Sequence, residues 1–139
     1  MAYAQWISVK ISPNNFLHSA HIANAQHSWG KFYSGSKGNS VSPGTVNKIT
    51  IANGSSSSVN ACGRDSASAG TVGSFDVYDG TPQPSNANRV CTFSWSCPWG
   101  SKTNTWGVSN KNSAYMDSTQ GGSRSSGAIG MISLDMFRK

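Results

Sequence analysis

The sequence predicts an all-β protein, a single-domain β-sandwich of mostly antiparallel strands spanning residues 1–139. Three observations carry that prediction. Apolar residues alternate with polar ones at a period of two. No segment holds a helical apolar stripe across three turns, and turn-forming residues recur about every dozen positions.

In "AQWISVKIS", Ile7, Val9 and Ile11 share one face, while Trp6, Ser8, Lys10 and Ser12 share the other. That phase sets Trp6 toward solvent, because the opposite register would expose three β-branched side chains. "NKITIA" groups Ile49 with Ile51, and "SFDVYD" sets Phe75 and Val77 against Asp76 and Tyr78. "CTFSWSC" aligns Phe93 with Trp95, and "AIGMISLDMF" places Ile132, Leu134 and Met136 opposite Ser133 and Asp135. The separators are Pro13-Asn14-Asn15, Ser42-Pro43-Gly44, Asn53-Gly54, Asp79-Gly80, Pro98-Trp99-Gly100 and Gly121-Gly122. "GSSSS" at 54–58 and "TQGGSRSSG" at 119–127 read as small-residue loops.

A chain of 139 residues buries roughly 68–70% of its unfolded surface and needs no covalent staple. Cys62, Cys91 and Cys97 cannot all pair within one monomer, and free, partly buried thiols are the expectation. A Cys91–Cys97 bridge across a short hairpin-like loop is the other arrangement. No segment approaches the ~20 apolar residues of a membrane-spanning helix. The N-terminus lacks the apolar block of a secretory signal, so a soluble protein is expected.

Charge and motifs narrow the function classes. Eleven Lys and Arg oppose five Asp, with no Glu, for a net charge of +6. The bases are scattered singly, with only Arg138 and Lys139 adjacent. That gives a general attraction to anions without a nucleic-acid groove, so no nucleic acid is expected as partner. No catalytic signature occurs, and Asp65, Asp79 and Asp117 fall in turn-like contexts, so an enzyme is not expected. His18, His21 and His27 match no standard metal spacing; neither metal nor cofactor is expected.

The tryptophans carry the positive signal. Trp6, Trp29, Trp99 and Trp106 neighbour Lys, Gly, Ser or Asn, the residues of loops and surfaces. Indole is amphipathic and suits a water–lipid boundary. Its face attracts a quaternary ammonium, and a nearby lysine can donate to a phosphate oxygen. Aromatic rings with one lysine are thus the chemistry that grips a zwitterionic phospholipid head group. Trp platforms also stack on sugars and bases, so a carbohydrate- or nucleic-acid-binding β-module is the competing reading. Trp95 and Trp106 could equally serve the core.

"NACGRDSASAGTVGSFDVYDG", "CPWGSKTNTW", "SGAIGMISLD", "AYAQW" and "SWGK" occur in the order and spacing of the aegerolysins, which the whole chain resembles. The resemblance implies a β-sandwich that recognises membrane sphingolipids and acts extracellularly at target-cell membranes. It also implies a larger partner of the membrane-attack-complex/perforin type in a two-component pore, and self-association on the membrane; related bacterial pairs are insecticidal. By the same likeness, Trp29 and Lys102 match residues at the lipid head group, while Trp99 and Trp6 match the aromatic surface that meets the membrane. Ala69, in "CGRDSASAG", stands where sphingomyelin/cholesterol binders often carry an acid. Ser96 precedes "CPWG" where an acid is usual.

Overall fold

The computed structural model describes residues 2–139. Eleven strands form two sheets: β1 (Trp6–Asn14), β2 (Ala20–Trp29), β3 (Lys31–Ser34), β4 (Ser36–Val41), β5 (Thr50–Ile51), β6 (Ser57–Cys62), β7 (Thr71–Asp79), β8 (Arg89–Cys97), β9 (Thr105–Ser109), β10 (Tyr115–Gly121) and β11 (Gly130–Arg138). One sheet has the order β10-β11-β1-β6-β3-β4 and the other β5-β2-β7-β8-β9. Every pairing is antiparallel except β1 with β11. The predicted sandwich is the observed fold.

The core lies between the sheets, where the period-two positions converge. Ile7, Val9 and Ile11 meet Ile132, Leu134 and Met136 from the first sheet, and Phe75, Val77, Phe93 and Trp95 close it from the second. Phe75 and Phe93 stack at 5.7 Å, and Phe32 meets Trp95 edge-on at 6.1 Å. Trp95 is 3% exposed, and its indole N–H donates to Thr71 Oγ1 at 3.1 Å, so burial leaves no polar atom of the ring unpaired.

The structure departs from the sequence pattern at several points. Ser42-Pro43-Gly44 opens a one-turn helix, α1 (Pro43–Val46), because Ser42 Oγ accepts from the Thr45 N–H and proline occupies the first turn. Residues 57–58 belong to β6 and 119–121 to β10, since pairing with β1 and β11 supplies the backbone partners that small side chains cannot. Asp117 is likewise a β10 residue, 3.6 Å from Lys111. On β7, Asp76 and Tyr78 are buried along with Phe75 and Val77. Asn24 and Thr92 donate to Asp76, and the Tyr78 hydroxyl donates to Asn86, so this outer face is roofed by polar side chains. All three thiols are free and buried. Cys91 and Cys97 occupy the same strand and face, six residues and about 20 Å apart at strand rise, which rules out a bridge.

Candidate functional site

Strand order brings the starts of β1, β3, β7, β9 and β11 to one pole of the sandwich together with the ends of β2, β6, β8 and β10, as the pairs Trp6–Cys62, Lys31–Cys62, Trp29–Val72, Thr71–Cys97, Ser96–Thr105, Gly121–Ile132 and Ile7–Gly130 require. Loops 63–70, 98–104 and 122–129 join the strands at this pole. Gly30 makes the crossing from one sheet to the other. Its φ of +78° is left-handed, and a Cβ would collide with the Cys62 carbonyl oxygen, so only glycine fits the turn.

Trp29, the last residue of β2, is 57% exposed. A bulged register between Ala23 and Gln26 moves the inward face from Ala20 and Ile22 to Ala25, and a second shift before Trp29 returns that ring to the outer side. It borders a cavity of about 370 Å³ shared with His27, Ser28, Arg64, Ala67 and Ala69. Trp29 and Ala69, distant in sequence, therefore line one cavity. Ala69 leaves no carboxylate on that wall, and the cation there is Arg64. The imidazole of His27 rests edge-on against Phe32 at 5.4 Å. Burial, with the Arg64 guanidinium adding to it, holds its pKa below the ordinary value.

Trp99 and Lys102 sit in loop 98–104 at the same pole, both exposed, with Trp99 at 37%; neither borders the Trp29 cavity. Asn104 braces their loop, its Nδ2 donating to the carbonyls of Ser123 and Gly127. Trp6 lies on the outer face in phase with Ser8 and Lys10, yet it is half-buried rather than freely exposed. The Lys37 ammonium covers its ring at 5.0 Å, a cation–π contact between strands that the period-two pattern cannot reveal. Trp106 packs half-buried against the core under the Arg124 guanidinium, 3.8 Å from the ring centroid.

The sequence marks neither Arg64 nor His27 as a neighbour of Trp29; His27 stands out in it only as a metal-ligand candidate that fits no standard spacing. Arg64 lay within the quoted "NACGR" block and was legible as a base, but its place beside Trp29 depends on the β6–β7 loop. His27 belongs to a strand that bulges hide. Among the described residues, no three His, Cys, Asp or Glu side chains cluster to hold a metal ion, and no helix is long and apolar enough to cross a membrane.

The fold and its loop pole define a small β-sandwich that gathers indole rings and scattered cations at one end. The aegerolysin family model matches residues 4–139, and the chain belongs to that family. It is 42% identical over 140 residues to Aegerolysin Aa-Pri1 of Cyclocybe aegerita, covering 99% of this chain and 93% of that protein. It is 40% identical to Ostreolysin A6 of Pleurotus ostreatus (100% and 99% covered) and 38% identical to Asp-hemolysin of Aspergillus fumigatus (99% and 96%). Among solved structures, RahU protein in complex with a TRIS molecule superposes with a TM-score of 0.89 at 38% identity, covering 99% of this chain and 98% of that one. IP-1A from Alcaligenes faecalis gives 0.86 at 34%, covering 99% and 94%.

Proposed function

We propose that this protein recognises a sphingolipid head group at the loop pole and acts as the lipid-recognition subunit of a two-component pore-forming cytolysin. The observation that carries the reading is Trp29, exposed beside a cavity whose charged wall residue is Arg64, at the pole that also bears Trp99, Lys102 and Trp6. Trp29 offers an indole face to a quaternary ammonium, and Arg64 can donate in a fork to phosphate oxygens. Lys102 adds a second cation from the neighbouring loop. Trp99 and Trp6 contribute ring surface for the interfacial layer. Ala69 favours recognition of the lipid without the sterol dependence that an acid at this position accompanies.

Family membership supports a membrane-active role, and one relative is named a hemolysin. In this reading the protein acts outside the producing cell, several copies dock side by side, and multivalency multiplies a weak single-site affinity. A larger protein of the membrane-attack-complex/perforin type supplies the membrane-crossing segments. An insect target is the form that the bacterial members of the family favour.

Sedimentation with sphingolipid-containing vesicles tests the site. Trp29→Ala, and the pair Trp99→Ala with Lys102→Ala, should each abolish co-sedimentation while the unfolding free energy stays within about 0.5 kcal/mol of wild type, since these side chains are exposed. Full retention by both variants would overturn the site.

A carbohydrate-binding reading has one observation in its favour. A groove of about 560 Å³ on the five-stranded sheet is edged by Gln26, Ser28, Ser74, Ser94, Ser96 and Thr105, hydroxyl and amide groups suited to a sugar. Competition by free oligosaccharide, with vesicles failing to compete, would favour it.

A further inference from the structure

Lys31 opens β3 on the outer face of the six-stranded sheet and is only 8% exposed. Its ammonium lies 4.8 Å over the Tyr3 ring and donates to two neutral oxygens, Tyr3 Oη at 3.1 Å and Ser40 Oγ at 2.9 Å. Among the described residues, no carboxylate stands within ion-pair distance of it. The adjacent Cys62 thiol is no counter-ion either, because burial pushes its pKa up despite the two lysines that pull it down. A buried charge without an opposite partner is costly unless something else pairs with it.

The hydrogen-bond directions say what that something is. An ammonium has three N–H donors, and Lys31 uses two on protein acceptors. Tyr3 and Ser40 each accept from Lys31, so their own hydroxyl protons are free to donate elsewhere. Arg64 and Ser66 border the same cavity, about 430 Å³ in volume, with Asp65 as its one carboxylate. Donors therefore gather around two cations, and a ligand there must be mostly acceptor, negatively charged and many-sided.

We infer that the Lys31 cavity is a second binding site, distinct from the Trp29 cavity, for a tetrahedral oxyanion of the phosphoryl class. Lys31 supplies the floor charge, Arg64 a forked contact from the wall, and Tyr3, Ser40 and Ser66 the hydroxyl donors. Asp65 on the rim opposes the anion, which limits affinity and disfavours ligands that carry charge beyond the phosphoryl group. Arg64 borders both cavities, whereas Lys31 serves only this one. Phosphate seated in the Trp29 cavity would be weakened by Arg64→Gln but not by Lys31→Met or Ser66→Asp, so the two sites are separable in a lipid-free titration.

The test is calorimetric titration at low ionic strength with inorganic phosphate, and with acetate as a planar control. Wild-type protein should bind phosphate saturably and acetate far more weakly. Lys31→Met keeps the buried stem and removes the charge. Arg64→Gln and Ser66→Asp change exposed side chains, so they report on the site even if Lys31→Met fails to fold. Each should weaken phosphate binding about tenfold or more, Lys31→Met and Arg64→Gln by losing a charge-assisted hydrogen bond and Ser66→Asp by setting a like charge beside the anion. No saturable binding by wild type, unchanged affinity in Ser66→Asp whatever Arg64→Gln does, or acetate binding as tightly as phosphate would overturn the inference. Phosphatidylcholine vesicles with and without phosphatidic acid separate the sources. Retention that requires phosphatidic acid and is competed by phosphate identifies a lipid phosphoryl group; phosphate binding with no such retention identifies a free one.

Discussion

The two poles of the sandwich use polar side chains in opposite ways. At the pole away from Trp29, they are turned inward to hold the chain. The buried Asp79 carboxylate accepts from the backbone N–H groups of Leu17 and His18 and from the Tyr115 hydroxyl, at 2.8, 2.7 and 2.6 Å. Asn53 clamps Phe16 by accepting from its N–H and donating to its carbonyl, and Asn88 donates to the carbonyls of Asp79 and Thr81. At the Trp29 pole, Asn104 is the main internal brace, and Trp29, Lys102 and Arg64 face outward. One end consumes its hydrogen-bonding capacity in the fold; the other keeps it for what arrives from outside.

This contrast can be broken at its strong end first. Asp79→Ala would leave three donors without an acceptor inside the protein, and loss of about 3 kcal/mol or more is expected. Urea unfolding measures it, and a change below about 1 kcal/mol would mean the pinned pole is not what holds the loops. At the other pole the backbone turn, not a side chain, should be the sensitive point. Gly30→Ala combines left-handed strain with a collision at the Cys62 carbonyl, so a cost of about 2 kcal/mol is expected, with both cavities distorted. If its unfolding midpoint matches wild type, the crossing between sheets is not rigid.

The smallest effects are titrations, and they too divide by pole. Cys91 lies against Met136 toward the pinned end, and burial first, then the Asp117 and Asp76 carboxylates, raises its thiol to about 12. Burial and the hydrogen bond to Asp79 push Tyr115 up as well. For groups raised in the folded state, stability is complete below the unfolded pKa and lost as pH climbs through the folded one. Stability should therefore fall between about pH 9 and 12, and Cys91→Ala should flatten that limb. His27, at the Trp29 pole, is shifted the other way. Its contribution is complete above the unfolded value of 6.5 and declines as pH falls through the lower folded value. His27→Phe should flatten only the acid limb of the unfolding midpoint plotted against pH.

Legibility followed the same physical division. Strands with clean alternation, such as β1 and β11, were readable because one face is buried and the other wet. β2 was not, because Asn24 adopts a φ of +53° and the bulges beside it reset which side chains face inward. Trp29 was readable as a candidate from its neighbours, whereas the cover that Lys37 gives Trp6 comes from a hairpin whose position depends on pairing with β6. Lys31 closes the "SWGK" block, but nothing local shows its burial, since the partners that cover its ammonium, Tyr3 and Ser40, come from other elements.

By itself the sequence determined the sandwich and the aromatic-plus-cation chemistry, because side-chain periodicity and residue type are local properties. Only the tertiary structure decided which cation stands beside which ring. Arg64, not Lys102, borders the Trp29 cavity, and Lys31 is buried against Tyr3 and Ser40. Ser40 reaches Lys31 across the β3–β4 hairpin, whereas Tyr3 and Arg64 come from distant parts of the chain, brought in by strand order and the loops at one pole.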